Sequence, residues 1–407
     1  MSFNWRNFLK KYWAAIFIII IIFLGIYVRT LDYRWPYLRN IDSYAFYRMM
    51  NDIVKNDGIM PGWDHLILAP EGNIRTPDLY PYQYLGAWSY MLLHLFLPDI
   101  QLWQYLIYFP AILSSLAAIP MYYIGKTLYD KKAGVLAALF IVFDFSNVSR
   151  SLGGDPDSDA IVILMPLIVM AIFLFTYKYV EIKKAFDKKA IIYSVITGLL
   201  LGIWGYTWIG YWYVVWLITG FLIFKFVLVF LKEKNIMETA KSIKHLAFSY
   251  LIIILIFSAI IMSIYGFGRI VYTVTGPFEF QSIKSEENIE FPNVYVSVAE
   301  LQTSGNIKDI IQRTSAINFS QSPLHMLISP FFLMIYGLFY LLYSYYKKRQ
   351  HMDTVILLLI WFIGPLLATI IAVRFSMLFA APMAIGSAIF LSKLFRLVSG
   401  EDQKFED

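Results

Sequence analysis

The chain contains no cysteine. Disulfides, thiolate metal centres and cysteine nucleophiles are therefore excluded, and the redox state of the compartment leaves no mark on the sequence. Charge is scarce as well: 15% of the 407 residues are Asp, Glu, Lys or Arg, too few to solvate the surface of a water-soluble globule. Beyond the isoleucine run Ile18–Ile22 there is no low-complexity tract, and there is no internal repeat. The net charge of +6 and pI near 9.0 would suit a nucleic-acid partner, but no basic arm carries the charge. The lysines fall instead in short loops between apolar runs, the pattern that sets membrane topology, so no nucleic acid is expected as a partner.

What the chain does have is apolar and aromatic: 59% hydrophobic residues, 18% aromatics and a mean hydropathy of +0.61. These values point to an all-α polytopic membrane protein, embedded among membrane lipids. Arg6, Lys10 and Lys11 precede the apolar stretch Trp13 to Val28, and no small-residue cleavage site follows. An uncleaved first span with a cytoplasmic N-terminus is expected. A long polar region then runs through about residue 100, carrying Asp32, Asp42, Asp52, Asp57, Asp64, Glu71 and Asp78. Within it, Tyr84 to Leu97 is apolar but only about 14 residues long, short of the ~20 needed to cross. It reads as a membrane-surface or buried helix of the external loop.

Leaving that stretch uncounted, spans fall at 101–124, 133–148, 159–180, 190–206, 207–231, 245–265, 326–346, 354–373 and 375–396. Four basic loops then lie inside: Lys126-Lys131-Lys132, Lys183-Lys184-Lys188-Lys189, Lys232-Lys234-Lys241-Lys244 and Lys347-Lys348-Arg349, in agreement with the positive-inside rule. Counting Tyr84–Leu97 as a span would break this agreement. The count is ten, and the aromatic stretch 190–231 leaves room for further crossings, giving about 10–13 helices. The same parity puts external loop 29–100, acidic loop 149–159 and external loop 266–325 on one outer face. The last of these is about 60 residues long, the length of a lid or binding loop rather than an idle connection. Residues 1–396 thus read as one transmembrane domain, and 397–407 as a short charged tail.

The acidic loop reads Ser149-Arg150-Ser151-Leu152-Gly153-Gly154-Asp155-Pro156-Asp157-Ser158-Asp159. Like charges crowded beside hydrocarbon are costly unless they meet a cation or polar substrate. Oxygen ligands at alternate positions suit a hard divalent cation such as Mg2+, Mn2+ or Ca2+. The alternative is a solvated acidic turn in which Asp159 caps the next helix. Asp42 taken alone reads as a helix cap, and Glu300 as an exposed loop carboxylate. Arg374 opens an apolar span, where snorkelling to the interface and an anion site are both open readings.

Together, Asp42 after the first span, Ser-Arg-Ser-x-Gly-x-x-Asp-x-Asp, Ser297-Val298-Ala299-Glu300 and Arg374-Phe375-Ser376-Met377-Leu378-Phe379-Ala380 occur in a recognisable order. The chain resembles the membrane domain of the oligosaccharyltransferase catalytic subunit family, of the archaeal dolichyl-phosphooligosaccharide-protein glycotransferase type. The resemblance implies a large membrane glycosyltransferase (GT-C type) fold. It also implies transfer of a glycan from a lipid-pyrophosphate donor, a dolichol-type lipid-linked oligosaccharide, to the asparagine of an Asn-x-Ser/Thr acceptor polypeptide. The product would be inverted at the anomeric carbon.

By the same resemblance Asp42, Asp157, Asp159 and Glu300 hold a divalent metal ion, Mn2+ or Mg2+, with Asp42 and Glu300 also acting on the acceptor amide. Arg374 contacts the donor pyrophosphate. Asp155 lies outside the matched positions and is a secondary candidate. Trp208 and Tyr211, in a segment loosely like the family's Trp/Gly/Tyr stretch, are further candidates for donor contact; an aromatic belt at the outer interface accounts for them equally well. The active site belongs on the extracytoplasmic face of the cell membrane. Full-length members carry a further span and an external C-terminal globular domain with a Trp-Trp-Asp motif, and this chain has no Trp-Trp pair. A truncated or short form is therefore expected. The competing expectations are transfer of lipid-linked sugar to a non-protein acceptor and, behind it, a transporter. The triplets Asn147-Val148-Ser149 and Asn318-Phe319-Ser320 match glycosylation acceptors, which decides nothing.

Overall fold

The computed structural model describes residues 5–67, 69–75, 80–282, 307–315 and 326–400. Its elements are almost all helical. In chain order they are α1 (Trp5–Thr30), α2 (Ile41–Lys55), a two-residue antiparallel hairpin of β1 (Trp63–Asp64) and β2 (Asn73–Ile74), α3 (Tyr80–His94), α4 (Leu102–Leu116), α5 (Ala118–Leu128), α6 (Lys131–Phe143), α7 (Phe145–Ser149) and α8 (Asp159–Lys183). Then follow α9 (Lys188–Thr207), α10 (Trp212–Glu233), α11 (Ile236–Tyr265), α12 (Phe267–Ser282), α13 (Ile307–Ser315), α14 (Pro330–Lys348), α15 (Met352–Ile371) and α16 (Ser376–Val398).

Among the described residues, eight helical stretches are long and apolar enough to cross a membrane. Phe17, Ile19, Ile20, Phe23 and Leu24 of α1 are exposed although the helix is apolar on every side. A helix of that kind is stable only when hydrocarbon covers its outer face. The stretch Leu102–Leu128 crosses in two pieces, α4 and α5. Pro120 has no N–H to donate to the carbonyl four residues back, and the helix breaks just before, at Ala117. The two remaining members of the expected ten are α6, at 13 residues, and α14, at 19.

Several boundaries differ from expectation, most of all the start of the helix expected at 245–265. Helix α11 begins at Ile236 rather than near 245, so Lys241 and Lys244 ride on its first turns instead of in a loop. The Asn235 side chain accepts from the backbone N–H of Met237 and Glu238, satisfying donors that would otherwise be orphaned and starting the helix early. Tyr84–Leu97 falls mostly within α3, a helix of 15 residues that is not among the eight.

The interior is organised by α8 and α16, which are buried over most of their length. Close approach depends on small residues: a Cβ on Gly125 would lie 2.9 Å from the Gly134 Cα, and one on Gly337 would strike the Gly386 carbonyl. The C-terminal half of α8 meets α10, α11 and α15 through a polar cluster. Lys225 Nζ lies 3.0 Å from an Asp353 oxygen and 3.2 Å from a Glu181 oxygen. Tyr177 donates to Asp353 at 2.6 Å, and His245 Nε2 is 3.4 Å from Glu181. Asp159 and Glu181 are thus at opposite ends of one long helix, roughly 30 Å apart at 1.5 Å per residue.

Candidate functional site

Residues 150–158 link α7 to α8, and hydrogen bonds from three other parts of the chain hold them. Gly153 N–H donates to the Arg29 carbonyl at 2.8 Å, and Gly154 N–H to the Ile107 carbonyl at 2.9 Å. In return, the Gly153 carbonyl accepts from Arg39 Nε and the Gly154 carbonyl from Arg39 N–H, both at 2.8 Å. Gly154 has φ +80°, and a Cβ there would run into the Tyr33 ring. This position therefore needs glycine on both counts.

Beneath the loop lies Arg29, at the C-terminal end of α1 and fully buried. Its guanidinium donates to Ser151 Oγ at 2.8 Å, Ser114 Oγ at 3.1 Å, the Val142 carbonyl at 2.8 Å and the Gly25 carbonyl at 3.2 Å. A forked cation with several acceptors is what makes burying such a charge tolerable. From the other side, fully buried Tyr82 donates its hydroxyl to the carbonyls of Pro156 and Asp157 at 2.9 and 2.8 Å. Burial first, then the nearby charges of Asp157, Asp155 and Asp159, push the Tyr82 phenol well above its ordinary value and keep it a donor.

The carboxylates themselves differ in setting. Asp159 is the first residue of α8, 2% exposed, with an oxygen 3.6 Å from Arg150 NH1. The helix cap is its neighbour Ser158, so Asp159 does not cap α8. Asp157 is half-buried and accepts from Ser158 Oγ at 3.2 Å. Asp155 accepts on one oxygen from Asn40 Nδ2 at 2.7 Å and Ser43 Oγ at 2.8 Å. Asn40 is the cap of α2, its side chain accepting from Ser43 N–H at 2.8 Å, so Asp42 is a first-turn residue rather than the cap. Asp42 is exposed, at a helix start where the backbone dipole favours an anion.

The start of α2 and the acidic turn are therefore one hydrogen-bonded unit at the N-terminal end of α8. Glu300 lies outside the described residues, as does the side chain of Arg374, whose backbone forms a 3-10 turn over Val373–Phe375 between α15 and α16. Asn318 is likewise outside. Asn147 is fully buried and donates to the Ile141 carbonyl at 3.1 Å, so it is no accessible glycosylation acceptor in this fold. Tyr211 is buried, its hydroxyl 2.8 Å from both the Arg269 carbonyl and Thr273 Oγ1. Trp208 is half-buried with its ring 5.4 Å from that of Trp204.

Asp42, Asp157 and Asp159 offer only hard oxygen donors, the chemistry that suits Mg2+ or Mn2+. Among the described residues, no three His, Asp or Glu side chains stand close enough to complete a metal cage. The donor type suits a divalent ion, but Asp42, Asp155, Asp157 and Asp159, all among the described residues, do not by themselves form such a group. Sequence reasoning singled out the carboxylates but missed Arg29, Arg39 and Tyr82, which hold the backbone and Ser151 of the loop, and Asn40 and Ser43, which bond Asp155.

The chain is 23% identical over 400 residues to a dolichyl-phosphooligosaccharide-protein glycotransferase of Methanococcus voltae, covering 93% of this chain and 43% of that one. A protein of the same description from Methanocaldococcus jannaschii is 29% identical over 224 residues, covering 52% and 22%. Among solved structures, the archaeal oligosaccharyltransferase AglB from Archaeoglobus fulgidus, in complex with an inhibitory peptide and a dolichol-phosphate, superimposes with a TM-score of 0.66 at 20% identity. That match covers 98% of this chain and 52% of AglB. A structure of the Archaeoglobus fulgidus oligosaccharyltransferase complexed with Zn and sulfate gives 0.67 over 94% of this chain and 49% of the other. The chain thus spans about half the length of the relatives it matches, and its fold is the all-α, GT-C type membrane fold of these enzymes. The family model for the N-terminal part of the oligosaccharyl transferase STT3 matches residues 8–400, and the chain belongs to this family.

Proposed function

We propose that this chain carries the catalytic membrane domain of a metal-dependent oligosaccharyltransferase, moving a glycan from a lipid pyrophosphate to the side-chain amide of asparagine in an Asn-x-Ser/Thr acceptor. The observation that carries the reading is the junction of α2 with the acidic turn. Asn40 and Ser43, which flank Asp42, bond Asp155 of the turn that also carries Asp157 and Asp159, residues more than a hundred positions away in sequence, and this supports a shared site at one end of α8. The relatives' printed complexes support the partner classes: one holds a dolichol-phosphate, and another is tethered to an acceptor peptide with an NVT sequon.

In this reading Asp42, Asp157, Asp159 and Glu300 hold a divalent cation, Mn2+ or Mg2+. The ion, when bound, supplies positive charge against the phosphate charge that develops as the donor bond breaks. Asp42 and Glu300 accept the two amide N–H bonds, drawing the nitrogen lone pair out of conjugation so that it can attack. The bond from the anomeric carbon to the pyrophosphate oxygen breaks with its electron pair leaving on the pyrophosphate. A carbon–nitrogen bond forms, and the surplus amide proton passes to a neighbouring carboxylate. Arg374, always charged and forked, binds the departing pyrophosphate. The positive-inside pattern supports a cytoplasmic N-terminus and an extracytoplasmic site.

The test is transfer from a lipid-linked oligosaccharide to an Asn-x-Thr peptide by the purified chain, with and without Mn2+. Asp157→Asn and Glu300→Gln are each expected to abolish metal-dependent transfer while the circular dichroism spectrum is unchanged. Full activity in either variant would sink the site assignment. Transfer to a lipid or polymer acceptor but never to peptide would favour the second reading, a glycosyltransferase with a non-protein acceptor.

A further inference from the structure

We infer that Asp155 is a positioning residue: its carboxylate fixes the start of α2, and with it Asp42, against the turn that carries Asp157 and Asp159. The inference rests on the metal-site reading above and deepens it.

Three features of the structure carry it. First, one Asp155 oxygen accepts from both Asn40 Nδ2, at 2.7 Å, and Ser43 Oγ, at 2.8 Å, and these two residues bracket Asp42 in sequence. Second, Asn40 is itself the cap of α2 through Ser43 N–H, so Asp155 grips the groups that define where that helix begins and which way its first turn faces. Third, the paired contacts of Arg39 with the Gly153 and Gly154 carbonyls clamp the adjoining backbone, leaving the side-chain bridge to set the remaining freedom, the rotation of the first turn. Both bridging partners are neutral donors. A cation in their place would cancel the carboxylate charge beside the proposed ion; hydrogen bonds hold the group without doing so.

Positioning and direct ligation predict different mutational patterns. Asp155→Asn keeps an oxygen that accepts from Asn40 and Ser43 but loses the charge; Asp155→Ala loses both; Ser43→Ala breaks the bridge from the far side and leaves every carboxylate in place. Mn2+ binding to the full chain in detergent is read by electron paramagnetic resonance of the free ion and by metal-dependent thermal shift. Neither readout requires donor, acceptor or turnover.

Positioning predicts that Asp155→Ala and Ser43→Ala each weaken Mn2+ binding by about tenfold or more. The double variant should lose no more than Asp155→Ala alone, because that substitution already removes the contact that Ser43→Ala breaks, and Asp155→Asn should stay within about threefold of wild type. Equal loss in Asp155→Asn and Asp155→Ala, with Ser43→Ala unaffected, would make Asp155 a direct ligand and overturn the inference. Unchanged binding in Asp155→Ala would overturn it too, leaving the metal reading intact. A wild-type chain that binds no Mn2+ overturns the metal reading and this inference together. Should Asp155→Ala fail to fold, Ser43→Ala and Asp155→Asn decide between the same outcomes.

Discussion

Arg29 Nε and Ser151 Oγ lie 2.8 Å apart although 122 residues separate them in sequence. The contact joins the end of the first span to the acidic loop, and the same guanidinium reaches α4 through Ser114 and α6 through the Val142 carbonyl. One buried cation therefore sets where the loop can sit relative to three helices.

Replacing Arg29 by Met should remove the charge-assisted donors and leave their acceptors buried. A loss of about 3 kcal/mol is expected, and Arg29→Lys should recover only part of it because an ammonium cannot span the same acceptors. Thermal unfolding of the detergent-solubilised protein measures this. An unchanged midpoint in Arg29→Met would show that the loop is held by its other contacts alone.

Tyr82→Phe is nearly isosteric but deprives the Pro156 and Asp157 carbonyls of their donor. The expected cost is about 1–3 kcal/mol, together with a fall in transfer rate as the Asp157 turn loosens. Because burial and three neighbouring carboxylates hold the phenol well above its usual range, wild-type activity should show no loss from Tyr82 deprotonation up to about pH 10. A pH–rate profile that falls on the alkaline side in wild type and not in Tyr82→Phe would contradict this.

Much of the fold was legible because hydrocarbon imposes a simple rule: most of the long apolar runs fold as helices long and apolar enough to span. The start of α11 was misjudged because Lys241 and Lys244 suggested a loop, whereas an asparagine cap with basic side chains reaching outward is equally compatible with a helix. The carboxylates of the site were legible as a motif, Asp157 and Asp159 from their spacing and Asp42 only beside the others. What orders them was not. Nothing in the sequence sets Arg29, Tyr82, Asn40 or Ser43 apart from other charged, aromatic and small polar residues. Their roles depend on partners 75 to 122 residues away, and no local period encodes such a pairing.

The segment between α1 and α4 that carries α2 is pinned by a second ionic group, and this gives a pH prediction. Asp64 accepts from Arg48 at 2.7 Å and from Arg75 Nε at 3.0 Å, and Arg75 also pairs with Asp52. The hydrogen bond from Arg48, aided by Leu66 N–H and the charge of Arg75, holds the Asp64 carboxyl well below the usual carboxylate range. A depressed folded-state value means that the unfolded chain takes up the proton first. The stabilisation is therefore complete above the unfolded value, about pH 4, and is lost as pH falls from there toward the folded value. Unfolding midpoints of wild type and Asp64→Asn should differ at pH 7, and the gap should begin to narrow below about pH 4 and keep narrowing as pH falls toward the folded value. A gap that stays constant with pH would assign the difference to packing rather than charge.

The polar cluster at the far end of α8 separates two ways of losing a buried ion pair. Lys225 lies between Asp353 and Glu181, with Tyr177 and His245 completing the partners, and the group joins α8, α10, α11 and α15. Removing only the cation, in Lys225→Met, leaves two carboxylates facing each other; with side chains 30% and 34% exposed they are partly screened by solvent, and the expected cost is about 1–3 kcal/mol. Neutralising the acids as well, in Lys225→Met/Asp353→Asn/Glu181→Gln, removes the repulsion and should recover most of that loss, since amides still accept from Tyr177 and His245. Transfer activity should follow folding in both variants, because the cluster is roughly 30 Å along α8 from Asp159. Thermal unfolding and activity measured on the same preparations check the pair of expectations. If the triple variant were no more stable than the single one, the cluster would act through its specific geometry rather than by charge compensation. If activity were lost in a fully folded triple variant, the two ends of α8 would be coupled.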